Sequence, residues 1–207
     1  MTSALERYQA KKTAAKAAWT PPTLADFAQD VAVLSFDQSL SRTGWVYLRV
    51  LDGRMDVMAK NTIRTRTEVA GWRGNFDKAR QIRREMESID DFLMRFSPDQ
   101  MPRWPDVVLL EMPNVHGHRT ESSMMAAYEI DGYSNTWWRP TEFISIQQSR
   151  TIIGGSDARN DKKGGWKALT RYVEESGGRQ WNEHQRDAAI NALGHLYNLK
   201  RADDDRQ

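Results

Sequence analysis

Val31-Ala32-Val33-Leu34-Ser35-Phe36 runs straight into Asp37-Gln38-Ser39-Leu40-Ser41-Arg42-Thr43-Gly44-Trp45. The first six residues are apolar and β-prone, the pattern of a strand buried on both faces. A carboxylate and a polar turn follow at once, and Thr43 to Val50 supplies a second strand, turned at Asp52-Gly53. Met55 to Thr65 alternates loosely and supplies a third. Two short connections joining three consecutive strands predict an antiparallel meander.

Beyond the meander the period changes. Phe76, Ala79, Ile82, Met86, Ile89, Phe92 and Phe96 are spaced by three or four, an apolar helical stripe with charged residues opposite it. Pro98, Pro102 and Pro105 end that helix and lead to Val107-Val108-Leu109-Leu110, a second buried strand that closes on Glu111. A helix is predicted over 120–137, a fifth strand from Phe143 to Ile146, and helices near 166–176 and 183–199. Between them Gly154, Gly155, Gly164 and Gly165 bracket a polar loop. The order β-β-β-α-β-α-β-α-α predicts an α/β fold, a mixed five-stranded sheet flanked by helices.

A chain of 207 residues suits one domain, read here as 26–200, with a basic flexible arm at 1–25 and a charged tail at 201–207. The 30 Lys and Arg nearly balance the 28 Asp and Glu, which argues against a uniformly basic coat and leaves room for a basic face. No cysteine is present, so disulfides, thiol nucleophiles and cysteine-held metals are excluded. A reducing, cytoplasmic setting fits that composition. No segment approaches the roughly 18 consecutive apolar residues of a membrane span, and no apolar signal core stands at the start.

Asp37 and Glu111 end the two most apolar strands. A carboxylate there is costly unless it is paired, hydrogen-bonded or bound to metal. If the two strands are parallel neighbours, both acids enter one crevice at the carboxyl edge of the sheet, where open α/β sheets take ligands. The last helix adds His184 and Asp187, one turn apart, behind an Asn182/Gln185 capping box. Its Ala188, Ala189, Ala192 and Gly194 allow close packing on a sheet. Oxygen donors with a single imidazole suit Mg²⁺ or Mn²⁺. Spacing alone leaves the structural and the metal-binding readings equally open.

The segment from Phe36 to Trp45 resembles the opening motif of RuvC-type Holliday junction resolvases, in which an Asp ends the first strand and Thr-Gly opens the second. Leu109-Leu110-Glu111 resembles that family's second acidic strand, and His184-x-x-Asp187 with its following alanines resembles its C-terminal acidic helix. Ile152-Ile153-Gly154-Gly155, a basic loop and Trp166-Lys167-Ala168-Leu169 resemble the family's segment before its penultimate helix. The resemblance covers about 31–199, in the family's order. It implies a ribonuclease H-like fold, two divalent ions (Mg²⁺ or Mn²⁺) held by Asp37, Glu111, His184 and Asp187, and a homodimer that cuts four-way DNA junctions. Met124, Met125 and Tyr128 make the helix at 120–137 the expected dimer contact.

Residues 149–171 carry Arg150, Arg159, Lys162, Lys163, Lys167 and Arg171 against Asp157 and Asp161. A glycine-flanked basic loop beside an acidic site suits phosphate, so Arg150, Arg159, Lys162, Lys163 and Lys167 are the expected DNA contacts. His116-Gly117-His118 reads as an exposed loop rather than a metal pair. Three other functions compete. A nuclease for flaps or other branched DNA fits the same residues, and so does a non-catalytic junction-binding protein of this fold. The Asp-x-Ser-x-x-x-Thr-Gly turn also resembles the phosphate turn of the actin-like and sugar kinase superfamily, but those proteins need two such domains.

Overall fold

The computed structural model describes residues 3, 6, 19–95, 104–112, 120–173 and 180–206. Five strands, β1 (Val33–Asp37), β2 (Arg42–Leu51), β3 (Arg54–Arg64), β4 (Val107–Glu111) and β5 (Thr141–Ile144), form one sheet in the order β3-β2-β1-β4-β5. The meander is antiparallel, while β4 lies parallel to β1 and β5 parallel to β4. Phe36 pairs with Leu110, so Asp37 and Glu111 follow at the same level. This is the mixed five-stranded sheet that the sequence predicts.

The two-residue period of a strand assigns each side chain to a face. Leu34, Phe36, Trp45, Tyr47, Val108 and Leu110 pack beneath α1 (Gly71–Met94) and α2 (Thr120–Trp137). Val33, Val46, Val50 and Leu109 share the other core with α3 (Ile146–Gly154), α4 (Lys162–Leu169) and α5 (Glu183–Asp204). Asp37 has the parity of Val33, and Glu111 that of Leu109. Both acids therefore fall on the face that α5 covers.

Several expectations are corrected. The α1 stripe that is buried runs from Ala79 through Ile82, Met86 and Ile89 to Leu93, and Phe76 is 51% exposed. The fifth strand, expected from Phe143 to Ile146, is Thr141–Ile144, and residues 146–154 form α3, where the sequence analysis expects no helix. The helix expected at 166–176 is α4, displaced toward the N-terminus because Asp161 caps it by accepting from the Lys163 amide. The stretch 19–25, read with the arm, packs on the domain: Tyr172 donates to the Pro22 carbonyl at 2.8 Å, and Trp19 lies against Gly155. Just after it, Phe27 is fully buried in an edge contact with Tyr172. At the other end α5 continues through 201–204, part of the expected tail. His116 and His118 lie outside the described residues, as does most of 1–18. Among the described residues no helix is long and apolar enough to cross a membrane.

Candidate active site

The turn after β1 is held by its own hydroxyls. Thr43 Oγ1 donates to the Ser39 carbonyl at 2.8 Å, and Ser39 Oγ donates to the Arg42 carbonyl at 2.9 Å. Gln38 clamps the neighbouring strand: its amide donates to the Glu111 carbonyl, and its oxygen accepts from the Glu111 amide at 3.1 Å. This extends the β1–β4 pairing past Phe36–Leu110 and fixes the two acids relative to one another.

Helix α5 comes in over them. Asn182 and Gln185 cap it reciprocally, as their spacing predicts, and the Asn182 amide donates to Thr62 Oγ1 of β3 at 2.6 Å. Gly44 explains how closely the helix approaches: a Cβ there would stand 2.3 Å from the His184 carbonyl carbon. Glycine in the Thr-Gly motif is thus the space into which the start of α5 fits. At the far side Gly194 meets Ser149 of α3, where a Cβ would lie 2.5 Å from the serine Oγ.

Four of the residues singled out in the sequence are brought together by this arrangement. His184 Nδ1 lies 2.5 Å from Asp37 Oδ2. Burial and the adjacent Asp37 push the Glu111 carboxyl up to about 9. Asp187 is raised by burial, against the opposing pull of Arg150. His184 is raised by its hydrogen bond to Asp37, so its protonated form is favoured. The crowded acids are short of positive charge.

Arg150 supplies part of it. Its Nη2 lies 2.8 Å from Asp187 Oδ1, with both side chains under 10% exposed, and Trp166 Nε1 points at the same oxygen from 3.4 Å. The sequence groups Arg150 with the basic loop, but α3 carries it inward. Its neighbours in that grouping divide. Lys162 is ion-paired with Glu183 at 2.6 Å, which lowers the Glu183 carboxyl and raises the lysine. Arg159, Lys163 and Lys167 are exposed.

Three carboxylates and an imidazole are suitable donors for Mg²⁺ or Mn²⁺. Among the described residues, no group of three His, Asp or Glu side chains already encloses an ion position. Asp37 is turned to His184 and Asp187 to Arg150. The donor chemistry fits a divalent cation, and those two pairings are what an entering ion would exchange for metal bonds.

No protein-family model and no curated protein matches the sequence. Solved structures do match in shape. RuvC of Thermus thermophilus in complex with a Holliday junction substrate is similar over 83% of this chain and 96% of its own, with TM-score 0.66 and 11% identity. A second Thermus thermophilus RuvC structure covers the same shares, with TM-score 0.62 and 10% identity. The chain has the RuvC fold. The yeast mitochondrial Holliday junction resolvase shares it more distantly, at TM-score 0.52 and 11% identity over 85% of each chain. At such identity the likeness is one of fold.

Gln38, Gly44 and Arg150 contribute to this site and were not foreseen in these roles. Ile146, Ser149, Arg150 and Ile153 are buried along α3. That three-four spacing is the signal that could have moved Arg150 from loop to helix.

Proposed function

We propose that the chain is a divalent-metal-dependent endonuclease that cuts branched DNA, with the four-way junction as its main substrate. One observation carries the reading: Asp37 and Glu111 end parallel strands at one level, and α5 lays His184 and Asp187 over them on a RuvC fold. Asp37, Glu111, His184 and Asp187 would hold Mg²⁺ or Mn²⁺, two ions in all. Bound ions in such a site would supply an activated water and stabilise the leaving oxygen of an in-line displacement.

The chain's own residues set the stage. Gln38 fixes the separation of the two strand-end acids, and Gly44 admits the helix start. Releasing the Glu111 proton and turning Asp37 away from His184 would free oxygens for coordination. Arg150 balances Asp187 until then. Lys163 and Lys167 on α4, with Arg159 before it, would hold the DNA backbone. Tyr128, 65% exposed on α2, supports a homodimer through that helix, which would give a two-fold junction two matched sites.

The Arg150–Asp187 pair also favours a second reading, a junction-binding protein of this fold without cleavage. Flaps, RNA–DNA hybrids, linear duplex and four-way junctions, each with Mg²⁺, Mn²⁺ or EDTA, distinguish the two. Wild type should cut the junction with metal and not in EDTA. Asp37→Asn should lose several orders of magnitude in cleavage and keep junction binding, because it removes charge with little change of shape. Equal cleavage by Asp37→Asn, or cleavage in EDTA, refutes the site. Metal-independent binding without any cleavage establishes the second reading.

A further inference from the structure

Arg42 and Arg64 stand opposite one another where β2 begins and β3 ends, and both are exposed. By strand parity Arg42 shares the face of Gly44, and Arg64 that of Thr62. Gly44 pairs with Asp37 and receives the start of α5, and Thr62 accepts from the Asn182 amide. The two arginines therefore lie on the face that bears the acids. They sit two residues past the level of Asp37, about 7 Å farther along the strands at the same edge of the sheet. Glu183 and Gln185, two residues apart on α5, point to opposite sides of it. Gln185 reaches Thr62 at 3.3 Å, and Glu183 reaches Lys162 of α4. The basic residues of α4 and the arginine pair thus flank the acid cluster from two sides.

Both are held in register with the turn that follows Asp37. The Arg42 amide donates to Ser39 Oγ at 3.1 Å. Beside Arg64, the Thr65 amide donates to the Ser41 carbonyl at 3.3 Å, and the Thr65 hydroxyl donates to the Leu40 carbonyl. Like charges directly opposite on paired strands cost stability, and among the described residues neither guanidinium is ion-paired. The acids nearest in the fold are engaged elsewhere, Asp37 with His184 at 2.5 Å and Glu183 with Lys162 at 2.6 Å. Asp203 and Asp204 close the far end of α5, about 30 Å from His184 at the rise of a helix. The pair is fixed, repulsive and open to an anion from outside the chain.

We propose that Arg42 and Arg64 clamp the phosphates of the DNA strand that crosses the acid cluster, on the side away from α4. The inference rests on the nuclease reading and gives that site a second, non-catalytic contact with its substrate. A phosphate between two guanidiniums accepts from both and removes their repulsion. The acids repel the strand they are to cut, and cations on both flanks offset that repulsion.

Fluorescence anisotropy of a labelled four-way junction over a salt series, in EDTA and in Ca²⁺, tests it beside thermal unfolding. Arg42→Gln and Arg64→Gln should each weaken junction binding about tenfold and reduce the salt slope by about 0.9. Neither should lower the melting temperature, since each removes the repulsion. Arg64→Lys should keep the salt slope. Arg64→Glu should bind still more weakly and melt about 2 °C above wild type, because it turns the repulsion into a cross-strand attraction. Unchanged binding and salt slope in the Arg42→Gln/Arg64→Gln double variant overturn the clamp and leave the nuclease reading intact. A melting temperature that falls in step with binding also overturns it, because the arginines would then serve the fold. So does a loss of binding that accompanies a change of oligomeric state in sedimentation, which assigns the pair to a protein interface. A wild type that binds no branched DNA in either condition removes the nuclease reading and the clamp with it.

Discussion

Replacing Gly44 by alanine tests the central packing claim, because the added methyl would point into the start of α5. Its Cβ would stand 2.3 Å from the His184 carbonyl carbon, 2.5 Å from the His184 Cβ and 2.7 Å from the Gln185 amide nitrogen. Carbon atoms in contact settle at about 3.5–4.0 Å, so the helix must retreat by more than about 1 Å. Two of the three obstructing atoms are backbone, and no rotamer change relieves them. The retreat would stretch the His184–Asp37 contact, now 2.5 Å, to about the 3.5 Å at which a hydrogen bond is lost. It would also strain the tie from Asn182 to Thr62. Overpacking of this kind costs about 1–3 kcal/mol, and for a chain of this size each kcal/mol lowers the melting temperature by about 2–4 °C. Misplacing reacting groups by about 1 Å costs on the order of 100-fold in rate. Thermal unfolding followed by circular dichroism, beside junction cleavage, measures both effects. A Gly44→Ala protein that melts within a degree of wild type and cuts at the wild-type rate would refute the close approach.

Arg150→Met should destabilise the metal-free protein by about 3 kcal/mol, because it leaves the Asp187 charge buried without a partner; in urea unfolding, adding Asp187→Asn should recover more than half of that, whereas simple additivity would dismiss the coupling. Glu111 holds a proton in the folded, metal-free protein up to about pH 9, while its ordinary value is 4.5. Its contribution to stability is complete below pH 4.5 and is lost as pH rises to about 9. Glu111→Gln should therefore flatten the decline in stability over that interval, and an unchanged pH profile would contradict the raised carboxyl. Lys163→Ala with Lys167→Ala should weaken junction binding and reduce the salt slope by about 0.9 for each phosphate no longer neutralised; an identical slope would place the DNA backbone elsewhere.

Local pattern was enough for the strands and for the candidate acids. VAVLSFD and VVLLE each end a buried strand on a carboxylate, but that Asp37 and Glu111 share one face follows only from the parallel β1–β4 register, Phe36 against Leu110. The capping box and the one-turn spacing of His184 and Asp187 are equally local, since helix geometry alone sets them. What these residues meet depended on the tertiary structure. The Arg150–Asp187 pair joins residues 37 positions apart, and a basic residue inside a basic stretch shows no sign of pointing inward until α3 is folded against α5. Phe76 continues an apolar stripe in sequence yet stays exposed, because the sheet beneath α1 covers it only from Ala79 onward. Gly44 reads as a turn residue, and only the arrival of α5 makes it the gap that the helix needs. Periodicity carries the face a residue occupies; which partner that face encounters, and how closely, is decided when the layers pack.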